Sequence, residues 1–426
     1  MSVNLHCLGA SCEVGRSAFL LQTGNRRVLL DYGVKLFGET GKPSYPMKIE
    51  DIEKNVENIR LDAAFISHAH LDHAGFVPNI YTFSKIPWYG TPPTYDIADI
   101  LWKDSMKIQK KELQWSNSHY KKALKCWHPL MYEHWVSVGE TLFEFHDAGH
   151  ISGAAMIDIK YNKKRILYSG DFKKEKTRLH SGAKPIKEKV DALILESTYA
   201  NREHPERHNL EKRFADEIRE TVGQGGTVLC PAFAVGRSQE LIRIIRAHHK
   251  DIPIYLDGMS KEVTRVYMKY KKYLNDPEEF IKDVETITFV ESIRDRKNAN
   301  AGGSVIISTA GMMEGGPVLN YINYLNRKSK IIFSGYCIEG TNGWLLQNRG
   351  QLRVDNNLLE VELPIEYFDF SAHAGRSDLM NLINETNPDK IICVHGDKEC
   401  SENFATELKE MGYNAIAPKR GDKITL

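Results

Sequence analysis

The sequence predicts an α/β protein in which a strand-rich domain is interrupted by an inserted α/β domain. Three observations lead there. Residues up to about 200 read as strand after strand with short connections, strands and helices alternate from about Asn201 to Val354, and residues 360–426 return to the first style. An insertion entered and left through short crossings explains this order better than two domains in tandem. The expected limits are 1–198 for the first part of the outer domain, 199–358 for the insertion and 359–426 for the remainder.

In chain order, apolar runs at 5–8, 18–21, 27–30, 63–67, 141–146, 155–159, 166–168 and 192–195 read as strands, several ending in Gly, Asp or His. A helix is expected over 95–113, where apolar residues recur at three and four. Leu210, Phe214, Ile218 and Val222 step by four along one helical face that Gly223–Gly226 stops. A buried strand at 228–230 and a helix at 238–248 follow, as in an open parallel sheet. Strands are expected again at 360–363 and 390–394, then a helix and a terminal strand.

Composition narrows the function classes. Apolar residues make up 42% and charged residues 27% of the 426, which excludes a disordered or fibrous chain. Lys plus Arg is 57 against 56 for Asp plus Glu, so any nucleic-acid site must be a local basic patch. The longest apolar runs are strand-length, so no membrane span is expected, and nothing at 1–12 reads as a secretory signal. Seven scattered cysteines without a Cys-x-x-Cys pair point to reduced thiols in a cytoplasmic protein and against a thiolate zinc site.

The strongest motif is Ala63-Ala-Phe-Ile-Ser-His68-Ala-His70-Leu-Asp72-His73. A lone histidine on an apolar strand is usually a core residue, but here a buried strand ends and four ligand-type side chains follow within six positions. His68 and His70 can share one ion, and Asp72 and His73 on the turn can reach a second. Imidazole with carboxylate suits Zn²⁺, and two such ions suit phosphoester hydrolysis. Asp147-Ala-Gly-His150 and Tyr168-Ser-Gly-Asp171 each follow a strand too. Alone, either is a weak signal whose usual reading is a turn aspartate or a capping histidine.

In order and context these blocks resemble the metallo-β-lactamase fold, whose motifs at successive strand ends surround two metals. Leu29-Leu-Asp31 looks like the first motif, His68–His73 the second, His150 the third and Asp171 the fourth. The next histidines in comparable context, His373 and His395, come more than 200 residues later, which resembles the β-CASP insertion of nucleic-acid-processing enzymes. Leu195-Glu196-Ser-Thr-Tyr, Phe370-Ser371-Ala-His373 and Val394-His395-Gly-Asp397 match its motifs A, B and C. Leu8-Gly-Ala-Ser-Cys-Glu13-Val-Gly-Arg16, Pro231-Ala-Phe-Ala-Val-Gly236-Arg237, Ala310-Gly311-Met-Met-Glu and Gly335-Tyr-Cys-Ile-Glu339 resemble the archaeal cleavage and polyadenylation specificity factor-like endonucleases, in the form without KH domains. Trp344 departs from the basic residue many relatives carry.

The resemblance implies an αββα metallo-β-lactamase sandwich with an inserted β-CASP α/β domain. It implies two Zn²⁺ per chain: His68, His70 and His150 would hold one, Asp72, His73 and His395 the other, and Asp171 would bridge them. Asp31 would hold a ligand histidine by its far nitrogen. His373 would be the general acid, kept charged and oriented by Glu196, and Asp72 could orient the attacking water or accept its proton. Ser371, Arg237, Lys173 and Lys174 are candidate substrate contacts. Basic runs at 110–111, 121–125, 173–178 and 269–272 could follow a nucleic-acid backbone, and Tyr199 and Phe233 could stack on bases, although core aromatics are the default.

The expected activity is therefore zinc-dependent hydrolysis of RNA, cutting within single-stranded RNA held in a cleft between the domains, with a homodimer or processing-complex partners in the cytoplasm. Two rivals remain: a 5′-to-3′ exoribonuclease of the ribonuclease J kind, and a non-catalytic scaffold subunit, which the complete ligand set disfavours. DNA-directed β-CASP members usually carry an apolar residue in place of the motif C histidine, so by this resemblance His395 implies RNA rather than DNA.

Overall fold

The computed structural model describes residues 2–38, 41–51, 60–109, 112–354 and 357–426. By contacts the chain divides into one unit of Met1–Lys176, Gly182–Glu203 and Ala372–Leu426, and another of Thr177–Ser181 and His204–Ser371. The expected basic pair Lys110–Lys111 lies outside the described residues.

The first unit is an αββα sandwich. One sheet runs in the order Lys423–Thr425, Val3–Cys7, Ala18–Thr23, Arg26–Tyr32, Ala63–Phe65, Trp88–Gly90, Trp127–Pro129. The other runs Ala415–Ile416, Lys390–Val394, Ala192–Glu196, Lys164–Tyr168, Ala155–Tyr161, Thr141–Asp147, Trp135–Val138. Alternate side chains of both enter one core, where Phe19, Phe65, Phe143, Phe145 and Ile157 are fully buried. Phe65 stacks on Phe143 at 4.0 Å between ring centres, so the two sheets meet face to face. On the outer faces, Pro92–Ile108 and Asn117–Lys125 cover Trp88, whose Nε1 donates to Ala123 O at 2.8 Å. Arg376–Thr386 and Lys398–Glu410 cover the second sheet.

Strand direction places the site. Arg26–Tyr32 and Ala63–Phe65 are parallel, and so are Lys164–Tyr168, Ala192–Glu196 and Lys390–Val394. Two successive antiparallel pairings make Thr141–Asp147 run with Lys164–Tyr168. The last residues of these strands include Asp31 and Glu196, and the segments leaving them carry the 68–73 cluster, His150, Asp171 and His395.

The second unit holds a parallel sheet in the order Thr288–Phe289, Ile254–Asp257, Ser304–Ser308, Thr227–Pro231, Lys330–Phe333, Ile365–Tyr367. Its central strands Thr227–Pro231 and Ser304–Ser308 are buried on both faces, as a parallel sheet covered on both sides requires. Val228, Cys230, Val305 and Ile307 join Phe214, Leu241 and Ile245 of the helices Arg207–Gly223 and Arg237–His248. Leu229, Ile306 and Ile331 face Ala299, Tyr321 and Leu346 on the other side.

Two local expectations change. The helix expected over 95–113 spans Pro92–Ile108: Thr91 caps it, accepting from Thr94 N, and the two prolines occupy the first turn, where a missing N–H costs nothing. The strand expected at 360–363 is instead Asn357–Glu360, paired antiparallel with Gln351–Val354 in a separate two-stranded sheet. Ile365–Tyr367 is an edge strand of the second unit's sheet, so the chain rejoins the first unit at Ala372. Among the described residues, no helix is long and apolar enough to cross a membrane.

Candidate metal centre

The site begins with a buried carboxylate. Asp31 ends Arg26–Tyr32 in the left-handed region at φ 57° and is fully buried. It accepts from Ser67 N at 2.6 Å, Ser67 Oγ at 2.7 Å, Tyr168 Oη at 2.6 Å and His73 Nδ1 at 2.8 Å. Burial and the nearby Asp31 charge raise the Tyr168 pKa well above a free tyrosine's, so its hydroxyl keeps the proton it donates.

These bonds decide which histidine nitrogens carry protons. A carboxylate only accepts, so His73 Nδ1 holds a proton and its Nε2 presents a lone pair. The single Ser67 hydroxyl proton goes to Asp31, so His68 Nδ1, 3.0 Å from Ser67 Oγ, must donate to that oxygen and leave its Nε2 bare. His150 Nδ1 donates to Ala372 O at 2.9 Å, with the same result. Burial lowers the His68 and His150 pKa values well below a free imidazole's, with neighbouring histidines adding to the effect, and it lowers that of His70 too.

Two groups of ligand atoms form. In the first, His68 Nε2 and His150 Nε2 each lie 3.1 Å from His70 Nδ1, and Asp171 Oδ2 lies 3.6 Å from the former and 3.8 Å from the latter. A tetrahedron whose corners are about 2.0–2.1 Å from its centre has edges of about 3.3–3.4 Å, so these spacings suit one Zn²⁺. In the second, Asp171 Oδ2 is 3.2 Å and Asp72 Oδ2 3.9 Å from His73 Nε2, while His395 Nε2 is 3.2 Å from Asp72 Oδ2. Asp171 Oδ1 lies 3.4 Å from His395 Nδ1 and is buried without a hydrogen-bond partner among the described residues. All four atoms of each group lie within 4.8 Å of one another.

Lone pairs facing lone pairs and carboxylates repel unless a cation lies between them. Without an ion the only remedy is protonation. Burial opposes that at His73, but the charges of Asp171, Asp31 and Asp72 outweigh it and raise its pKa well above normal. Burial pushes the Asp171 carboxyl up, yet His395, His73 and His373 hold it well below the usual range. This donor set of imidazoles and carboxylates without sulfur fits metal ions of the Zn²⁺ class.

Beside the groups stands a third pair. Glu196, 1% exposed, accepts from Phe172 N at 2.9 Å through Oε1, and its Oε2 lies 2.7 Å from Thr198 Oγ1 and 3.0 Å from His373 Nδ1. Burial opposes charge on His373, but Glu196 and Asp171 prevail and its pKa rises to about 9. The ring is partly exposed, 4.8 Å from the His150 ring between centres.

The candidate substrate contacts fare differently. Lys173 is buried, 3% exposed, with its Nζ 3.3 Å from Glu175, so it is an internal cation poorly placed to follow a nucleic-acid backbone. Lys174 pairs with Glu385 at 2.7 Å. In the second unit Arg237 donates to Phe370 O and Ser371 is buried. Phe233 is 39% exposed, against its core default, and the Tyr199 ring packs edge-on to His373 at 6.0 Å, with the Arg202 guanidinium 4.4 Å over it. Ser67, Tyr168 and Thr198 are functional residues the motif reading did not single out. Ser67 precedes the first histidine and Thr198 follows Glu196 by two, but a hydroxyl's partner is set by the facing strand, which sequence does not display.

Comparison with known proteins agrees with this geometry. Three family models match in tandem: a metallo-beta-lactamase superfamily domain over residues 20–198, a Beta-Casp domain over 238–346 and a Zn-dependent metallo-hydrolase RNA specificity domain over 358–418. The chain is 36% identical over 431 residues to the Probable RNase MJ4 of Methanocaldococcus jannaschii, covering 98% of this chain and 99% of that one. It is 33% identical over 434 residues to RNase aCSPSF2 of Saccharolobus solfataricus, covering 100% and 86%. The RNase J-like protein of M. jannaschii is 34% identical over 427 residues, covering 97% of each. A crystal structure of a protein of unknown function from Enterococcus faecalis V583 superposes with a TM-score of 0.64 over all of both chains at 14% identity, a likeness of fold. With relatives this similar along almost its whole length, the chain belongs to the metallo-β-lactamase/β-CASP ribonuclease family.

Proposed function

We propose that the protein is a ribonuclease that holds two Zn²⁺ and cuts within single-stranded RNA, in 3′-end processing or decay. The observation that carries the reading is one carboxylate, Asp171, facing two groups of ligand atoms, with the His373–Glu196 pair beside them. His68, His70 and His150 would hold one ion, Asp72, His73 and His395 the other, with Asp171 between them. Such ions supply a nucleophile at neutral pH and charge to balance the phosphate.

The chain's own residues do the rest. Asp72, its side chain 31% exposed and 3.2 Å from His395 Nε2, can orient the attacking water from the open side. Glu196 holds His373 by Nδ1, which keeps its proton and turns the other ring nitrogen away for donation to the departing 3′-oxygen. Thr198 bonds the same Glu196 oxygen that meets His373 and also lies 2.8 Å from His395 O, tying the acid pair to the second ligand group, while Phe172 N holds the far oxygen. An exonucleolytic mode is the second reading, favoured by the 34% identity to a protein named RNase J-like.

Elemental analysis should find about two zinc ions per chain, and changing any cysteine to serine should leave that number intact, since no thiol belongs to either group. One ion, or zinc lost with a cysteine, contradicts the assignment. His395→Ala should lose the second ion together with activity. His373→Ala should keep both ions while the cleavage rate falls about 10²–10⁴-fold, the range for a general acid. A His373→Ala protein with an emptied metal position would show that His373 is a ligand.

Cutting mode is read from RNA labelled internally or at a 5′ triphosphate, monophosphate or hydroxyl. Internal fragments whatever the 5′ group are the expected products. Mononucleotides released from the monophosphate alone would establish the exonuclease.

A further inference from the structure

The loop between the strands Val3–Cys7 and Ala18–Thr23 is held in a conformation its side chains disfavour. The two strands are neighbours, with Cys7 opposite Phe19, so a tight turn would join them. Instead residues 8–17 make a detour with Ala10, Cys12 and Arg16 in the left-handed region at φ 51°, 53° and 46°. Residues with a Cβ rarely adopt it, and where they do the surroundings must impose it. The loop's ends also press together: a Cβ on Gly9 would lie 2.0 Å from Arg16 O.

A largely buried ion pair imposes this shape. Arg16 Nε donates to Glu13 Oε1 at 2.7 Å and Nη2 to Oε2 at 2.9 Å, a two-point fork, while Nη1 donates to Tyr45 O at 3.2 Å. Lys35 Nζ lies 3.6 Å from Glu13 Oε2 and adds a second positive charge. An arginine fork fixes direction as well as distance, which a lysine cannot do.

Besides bonds from Met47 N to Leu8 O, from Cys12 Sγ to Pro418 O and from Arg16 to Tyr45 O, the loop bonds residues of one ligand group. Ala10 O accepts from His395 N at 2.7 Å, and His395 itself sits at φ 51°. Ser17 N donates to Asp72 O at 2.7 Å, and Ser17 Oγ lies 3.3 Å from His73 Nε2. Ser17 O also accepts from Gly33 N, and Gly33 lies so close to Asp72 that a Cβ there would be 1.8 Å from its carbonyl oxygen. By contrast, His68 and His150 are held by Ser67 and Ala372.

Resting on the two-ion reading above, we propose that the Glu13–Arg16 fork is a clamp that sets the affinity of the second metal position alone, with Arg16 as a positioning residue. The two positions would then load with separable affinities, and loosening the clamp would turn a two-ion protein into a one-ion protein.

The test is titration of metal-free full-length chain with zinc against a chelator of known affinity. Wild-type protein should take up two ions. Arg16→Leu should weaken the second about ten- to a hundredfold, the usual effect of removing a residue that orients ligands, and leave the first unchanged. Arg16→Lys, with the charge but not the fork, should fall between. Equal weakening of both ions in Arg16→Leu and Arg16→Lys, or no change in either, overturns the clamp. A single ion in the wild type overturns the two-ion reading and the clamp with it.

Discussion

Everything at the metal centre depends on one buried charge accepting four hydrogen bonds. Taking a carboxylate out of water costs several kcal/mol unless its oxygens are satisfied. Asp31 meets that demand with a backbone amide, a serine, a tyrosine and a histidine drawn from both sheets of the sandwich. The same bonds orient the histidine donors. They put a proton on His73 Nδ1 directly and on His68 Nδ1 through Ser67, so both rings turn bare nitrogens toward Asp171. An arrangement that stabilises the buried charge thereby creates a concentration of lone pairs that only a cation or extra protons can relieve.

Topology supplies the donors. Each comes from a loop after a strand that runs in the same direction within its sheet, so residues more than 300 positions apart, such as Asp72 and His395, end 3.2 Å from each other. The insertion does not disturb this, because Lys390–Val394 pairs with Ala192–Glu196 residue for residue, from Ala192 opposite Lys390 to Glu196 opposite Val394. His395 follows directly on the last pair, and its left-handed backbone turns it into the site.

Much of this was legible in the sequence because it is local. Four ligand types within six positions after an apolar strand need no partner to be recognised, and the alternation of strands with helices marked the inserted unit. Asp31, Glu196 and His373 were legible through the motifs around them. What was not legible depends on neighbours across a sheet or between sheets. Tyr168 reads as an ordinary core aromatic until its hydroxyl is seen to meet Asp31. Lys173 reads as a basic residue beside Asp171 until its burial and its partner Glu175 are seen. The helix begins at Pro92, ahead of the apolar spacing that starts at Tyr95, because the first turn tolerates prolines that lack an N–H.

Asp31→Asn tests the central dependence most directly. An amide cannot accept all four donors, and its N–H₂ would face at least one of them. Zinc titration of the metal-free variant should therefore show both ions weakened about 10–100-fold, because His73 and His68 would lose their fixed tautomers together. Wild-type affinity for both ions in a folded Asp31→Asn protein would contradict the account.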